Sequence, residues 1–115
     1  MTNLDGVGMT AERKRQRLWG GIRGAMGEIE AYLAGLTRSQ FARDSLRRDA
    51  VERSLERIAA LAACLPPQDR AGFPMLSILT AIGRRAPLDR LDSDVVWSLV
   101  QGLKVRAELS MGVGQ

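Results

Sequence analysis

The residue types that carry out most enzyme chemistry are scarce in this chain. Its 115 residues include no histidine and a single cysteine, Cys64. Without histidine the chain lacks the commonest general base, the usual activator of a nucleophile and the commonest metal ligand. One cysteine forms neither an internal disulfide nor a paired-cysteine zinc site, and we interpret Cys64 as a buried small side chain. We therefore expect no catalytic residue, no metal and no cofactor.

Carboxylates could still act in pairs as general acid and base. Three pairs are close in sequence: Glu28 with Glu30, Glu52 with Glu56, and Asp92 with Asp94. Glu28 and Glu30 point to different faces of a helix, whereas Glu52 and Glu56 share a face and have arginines beside them. That pattern is typical of a solvated, salt-bridged surface, and the aspartates are typical of a helix start. An enzyme that uses carboxylates is the least favoured of our hypotheses.

The basic residues are the other candidates, because the chain carries 17 Lys and Arg against 13 Asp and Glu, for a net charge of +4. All but two of the 17 are arginine, which suits bidentate contact with phosphate. They form three clusters: Arg13-Lys14-Arg15 with Arg17, Arg43 with Arg47 and Arg48, and Arg84-Arg85 with Arg90. The third cluster lies in a predicted connector, where binding residues often occur, so Arg84, Arg85 and Arg90 are our candidate nucleic-acid-binding residues. Aromatic residues for base stacking are not interleaved with them, and solvation of helix surfaces is the alternative interpretation.

Apolar residues recur mostly at spacings of three and four, which is typical of helices. Thr10 is a predicted cap for a first helix, and the capping-box pattern from Thr37 to Gln40 predicts a second helix that ends before Pro66. The predicted buried stripes are Leu18, Ile22, Met26, Ile29, Leu33 and Leu36, and then Leu46, Val51, Leu55, Ile58, Ala62 and Leu65. Residues 66–73 are predicted to be a loop.

A short third helix is predicted from Pro74 to Gly83 and a fourth from Asp92 to Met111, with a connector between them. No strand pattern occurs. The sequence thus predicts an all-α fold, an up-down antiparallel helical bundle of four to five helices. Residues 11–111 are expected to form one domain between flexible tails at 1–10 and 112–115. No apolar run approaches the ~20 residues of a membrane span, so we expect a cytoplasmic protein without membrane contact.

Several segments together resemble the HepT-like HEPN domains. They are Asp49-Ala-Val-Glu-Arg-Ser-Leu-Glu-Arg-Ile58, Leu65-Pro66, Phe73-Pro74 and Asp92-Ser-Asp-Val-Val-Trp97, in that order. The resemblance covers about residues 15–107. It implies an all-helical bundle that forms homodimers and is often the ribonuclease toxin of a toxin–antitoxin pair. The implied partner is a small nucleotidyltransferase that can adenylylate a tyrosine on the toxin.

The family's active motif, an Arg, four residues, a His, one residue and a Tyr, has no counterpart in this sequence. Counting back from Trp97 places Ala81, Ala86 and Leu88 at those three positions. A shift of one residue would bring Arg84 or Arg85 near the arginine position, but no shift supplies a His or a Tyr. The family's Gly-Glu pair is replaced by Ala60-Leu61 or its neighbours. The resemblance therefore transfers the fold and no site residue, and we expect that the protein is not an enzyme.

The first hypothesis is a non-catalytic HepT-like bundle that acts as a homodimeric interaction protein and pairs with a nucleotidyltransferase. The glycines of the first helix, with Val95, Trp97 or Trp19, are candidates for its dimer face. The alternative is an RNA-binding module that uses Arg84, Arg85 and Arg90 without cleavage.

Overall fold

A computed structural model describes residues 2–85 and 91–113, with side chains described for residues 10–82 and 91–104. It contains six helices: α1 (Thr2–Leu33), α2 (Arg38–Arg43), α3 (Ser45–Ala63), α4 (Pro67–Ala71), α5 (Pro74–Arg85) and α6 (Ser93–Val113). No strand occurs among the described residues, which confirms the predicted all-α fold. Six helices exceed the predicted four to five, because the predicted second helix is divided into α2 and α3 and the predicted loop 66–73 contains α4.

Helix α1 begins at Thr2, eight residues before the predicted cap at Thr10. The predicted helix start was therefore wrong, and Thr10 lies inside the helix. Glycine costs only ~1 kcal/mol relative to alanine in a helix, so Gly6 and Gly8 lower helix propensity without ending the helix. The domain boundaries at residues 11 and 111 stay predictions.

The capping box at the start of α2 is confirmed. The backbone N–H of Gln40 donates to Thr37 Oγ1 at 3.1 Å, and the Thr37 N–H donates to Gln40 Oε1 at 2.9 Å. The predicted continuous second helix is nevertheless two helices, because Asp44 ends α2 and caps α3 by accepting the Arg47 N–H at 3.1 Å. Leu46, predicted to be buried, is 82% exposed.

The later helices also differ from the prediction at their ends. The predicted loop 66–73 contains α4, for which Pro67 is compatible with the first helical position. Helix α5 continues through Gly83 to Arg85, and α6 extends to Val113. The predicted start of α6 is confirmed, since Asp92 Oδ1 accepts the Asp94 N–H at 3.4 Å. Among the described residues, none of the helices is long and apolar enough to cross a membrane.

The core is formed where α3 packs between α1 and α5, with α6 closing it against α5 and α2. Helices α1 and α3 are antiparallel, because Glu28 lies near Arg57 while Gly21, earlier in α1, lies near Leu61, later in α3. A Cβ atom at Gly21 would lie only 2.8 Å from Leu61 Cδ1, so this glycine allows the two helices to approach closely. The buried apolar residues are Ile22, Ala25, Ile29, Phe41, Val51, Leu55, Ile58, Ala59, Ala62, Leu65, Leu76, Leu79, Val96, Leu99, Val100 and Leu103.

Candidate functional site

The predicted arginine cluster lies at and beyond the end of α5. Arg84 and Arg85 are the last two residues of that helix. Their side chains, and the whole of Arg90, lie outside the described residues. The assignment of these three arginines to nucleic-acid binding stays a prediction.

Ala81, to which the count back from Trp97 assigns the family's motif arginine, is on the outer side of α5. Ala81 is exposed there, three residues after Ile78, which is 46% exposed. Residues three apart lie on the same side of a helix, so this surface offers a methyl group and an apolar side chain where the family has a cation. The other two motif positions, Ala86 and Leu88, lie outside the described residues.

A shallow apolar depression of about 380 Å³ lies between α5 and α6, and Ile78, three residues before Ala81, is part of its lining. Its apolar wall includes Ile78 and Val95, which are 46% and 42% exposed. At its edge Arg38 Nε donates to Asp94 Oδ1 at 3.0 Å, which joins α2 to the first turn of α6. The surface is suited to contact with an apolar partner, and the one carboxylate in its lining is already paired. We call it the α5–α6 depression.

A polar cluster that the sequence did not predict joins α1 to α4. Asp69 Oδ2 accepts from Arg15 Nε at 2.6 Å and from Trp19 Nε1 at 3.0 Å, and its side chain is 11% exposed. The Trp19 ring packs on Phe73 with centroids 4.9 Å apart. The hydrogen bond and the charge of Asp69 raise the pKa of the Arg15 guanidinium above its ordinary value.

This cluster is structural, because each of its groups contacts another part of the same protomer. Trp19 is therefore occupied inside the protomer, whereas Val95, another candidate for the dimer face, is exposed. No local sequence signal identifies the cluster, since Arg15 and Asp69 are 54 residues apart. It could be found only from the packing of α4 on α1.

Two further predictions about individual residues were wrong. Glu52 is 4% exposed while Glu56 is exposed, so the two carboxylates do not share one solvated surface. Cys64 is exposed, because α3 ends at Ala63 and the chain turns at Cys64 so that Leu65 takes the buried position. No cluster of three or more potential metal ligands occurs in the part of the chain that the structure describes.

A deeper groove of about 290 Å³ runs between α1 and α6, and we call it the α1–α6 groove. Its walls are more apolar than polar and come from both helices and from the turn after α1. Its apolar side chains are Met26, Ile29, Leu33, Leu36, Trp97, Val100 and Leu103. Glu30 of α1 and Lys104 of α6, both exposed, also line it. The Trp97 ring closes the inner wall by packing on Phe41 at 5.6 Å between centroids.

The fold and these surfaces define a small all-α domain whose long first and third helices pack antiparallel, with two apolar surface hollows. A family model described as ribonuclease HepT-like matches residues 22–84, more than half of the chain. The chain therefore belongs to the HepT-like family, as the sequence motifs indicated. No curated protein and no solved structure matches it. The matched range ends at Arg84, before two of the three motif positions.

Proposed function

We propose that this protein is a non-catalytic HepT-like bundle that acts as a homodimeric interaction protein, with a small nucleotidyltransferase as its partner in a toxin–antitoxin-like pair. The proposal is supported by the count back from Trp97, which assigns the three motif positions to Ala81, Ala86 and Leu88. An alanine can neither hold a phosphate by charge nor transfer a proton, and the whole chain has no histidine to take over that role.

The tyrosine that the partner would modify is also missing from the motif. The chain has one tyrosine, Tyr32, and it lies in the last turn of α1 rather than after α5. Adenylylation at the family's position needs a phenol there, which Leu88 does not supply. Pairing with a nucleotidyltransferase would then be a binding event without this modification.

The surface beside Ala81 supports a binding role. The α5–α6 depression exposes Ile78, three residues before Ala81, together with Val95. Exposed apolar side chains that cluster are typical of protein contacts, whereas phosphate recognition uses clustered cations and backbone amides. A protein partner fits this part of the surface better than RNA does.

Purification under native conditions tests the proposal directly. We expect the tagged protein to elute as a dimer with one nucleotidyltransferase per protomer, measured by light scattering and mass spectrometry. Incubated with total RNA, it should cleave no more than buffer does. An active HepT-family ribonuclease on the same RNA is the control for the assay. Cleavage that co-purifies with the protein through two columns would contradict the non-catalytic assignment.

Binding of RNA without cleavage is the second candidate function, favoured by the three arginines within seven residues at the end of α5. In that case the triple variant Arg84→Ala/Arg85→Ala/Arg90→Ala should weaken RNA binding at least about tenfold, because each phosphate contact adds to affinity, and the wild-type affinity should fall steeply with salt. The matched control removes three exposed arginines outside the basic clusters: Arg23, Arg53 and Arg57. Equal loss in both variants would indicate binding by net charge alone and would remove these residues as a site.

A further inference from the structure

The α1–α6 groove is a largely apolar surface that no side chain of the described part of the chain fills. Met26, Leu33 and Trp97 line it and are only half-buried. Covering half-buried apolar side chains stabilises an assembly by roughly 25 cal/mol for each Å² removed from water. The groove is thus a surface at which another protein segment would gain stability.

The two lips of the groove carry opposite charges. Glu30 lies on the α1 lip and Lys104 on the α6 lip, and both are exposed. Neither makes an ion pair with any residue that the structure describes. A complementary occupant must therefore present a cation to α1 and an anion to α6.

A second copy of this chain meets that requirement. When two identical grooves face each other across a two-fold axis that runs along the groove, α1 of one copy lies opposite α6 of the other. Glu30 of each copy then faces Lys104 of its partner, so the contact is made twice. The apolar residues of both grooves meet between these charge pairs.

The backbone next to the α1 lip leaves room for such an approach. Gly27 lies one turn before Glu30, and a Cβ atom placed on it would meet nothing within 4 Å. Small residues on a helix allow a neighbouring helix to come close. A bulky residue here would hold the partner's α6 away from Glu30.

We propose that the α1–α6 groove is the face through which two copies of this chain associate, with α1 of each copy against α6 of the other. The inference rests on the homodimer of the proposed function and adds the surface that forms it. Val95 in the α5–α6 depression is then left for the heterologous partner.

A charge-exchange experiment tests the face. Glu30→Lys alone and Lys104→Glu alone each place like charges opposite one another at two symmetric positions, which opposes association. We expect each single variant to raise the dimer dissociation constant about tenfold or more, measured by light scattering on dilution. The double variant Glu30→Lys/Lys104→Glu restores opposite charges and should return to within about threefold of the wild type.

Glu56→Lys is the matched control, because Glu56 is exposed on α3, outside the groove, and the substitution changes charge by the same amount. It should leave the dissociation constant unchanged. The helical circular dichroism of all the charge variants should match the wild type, since Glu30, Glu56 and Lys104 are all on the surface. Gly27→Trp adds a steric test: it should also favour the monomer while leaving the fold intact.

The outcomes separate this inference from the proposed function. A monomeric wild type would overturn the homodimer itself, and the groove assignment with it. If the wild type is a dimer and its dissociation constant is the same in both single variants and in the double variant, only the assignment of the groove as the dimer face would be overturned. A dimer that survives Glu30→Lys while a co-purifying nucleotidyltransferase is lost would assign the groove to that partner and would also overturn the inference.

Discussion

Replacing Leu55 with alanine should lower the free energy of unfolding by about 3 kcal/mol, while the same change at Leu46 should alter it by less than about 0.5 kcal/mol. Both residues are leucines of α3, nine positions apart. Leu55 is fully buried in the core that α3 forms with α1 and α5, whereas Leu46 is 82% exposed. Truncation of a buried leucine loses the transfer free energy of its methyl groups and leaves a cavity, and truncation of an exposed one loses neither.

Urea denaturation followed by circular dichroism measures both changes under one set of conditions. The slope of unfolding free energy against urea should stay the same, so that the midpoint alone reports stability. Because alanine has a higher helix propensity than leucine, Leu46→Ala should not destabilise the protein through the helix itself. Equal losses at the two positions would mean that Leu46 is covered in solution, for instance by another copy of the chain, and its loss would then depend on protein concentration.

Leu46 also shows how far periodicity predicts this fold. Val51, Leu55 and Ile58 follow the helical spacing and are all fully buried, as predicted. Leu46 precedes Val51 by five residues, which turns it about 140° away from that face. The predicted continuous second helix also does not allow for the break at Asp44, which ends α2 and caps α3. A residue within an apolar run caps a new helix when its side chain accepts a hydrogen bond from the backbone nearby, and composition does not predict where this happens.

The contacts that position the possible binding surfaces were less predictable than the helices. Asp69 lies in a segment that the sequence indicated only as a loop, and its partners Arg15 and Trp19 are in α1. Which distant residues meet depends on how α4 packs after the turn at Pro66, and no local spacing encodes that packing. Glu52 and Cys64 were mispredicted for the same reason, because burial at the edge of a stripe is decided by tertiary contacts.

The proposed function depends on residues that a sequence shows directly. The absence of histidine and the residues at positions 81, 86 and 88 can be read without a structure, and the helices add where Ala81 lies. The structure contributed the two apolar hollows and the charges of Glu30 and Lys104. A helical pattern predicts which residues point inward, but it does not predict where two helices leave a groove between them.

The cluster around Asp69 links the core to the surface beside Ala81. Asp69 fixes α4 to α1, and the two residues between α4 and α5 include Phe73, whose ring packs on Trp19. The start of α5 is therefore held against α1 at this point. The orientation of α5 in turn sets where Ile78 and Ala81 are presented, so loss of the cluster should affect the α5–α6 depression as well as stability.

We expect Asp69→Ala to lower the free energy of unfolding by about 2 kcal/mol, in the range for hydrogen bonds to a charged, largely buried group. The change leaves the Trp19 indole N–H without its acceptor and the Arg15 guanidinium without its closest carboxylate. Asp69→Asn keeps an oxygen acceptor but no charge, so it should cost about half as much. Glu28→Ala is the control, because its pair with Arg57 at 3.5 Å is about half exposed on both sides and should contribute less than about 0.5 kcal/mol.

Thermal and urea unfolding give the stabilities, and amide hydrogen exchange gives the location of the effect. In Asp69→Ala, exchange should accelerate first in the early turns of α5, since those residues follow the lost anchor, while the buried middle of α3 should stay protected until global unfolding. Trp19→Phe removes the indole N–H that donates to Asp69 and retains a ring on Phe73. It should therefore reproduce part of the accelerated exchange. An Asp69→Ala variant as stable as Glu28→Ala, with unchanged exchange in α5, would show that packing of Trp19 and Phe73 alone holds α4 in place.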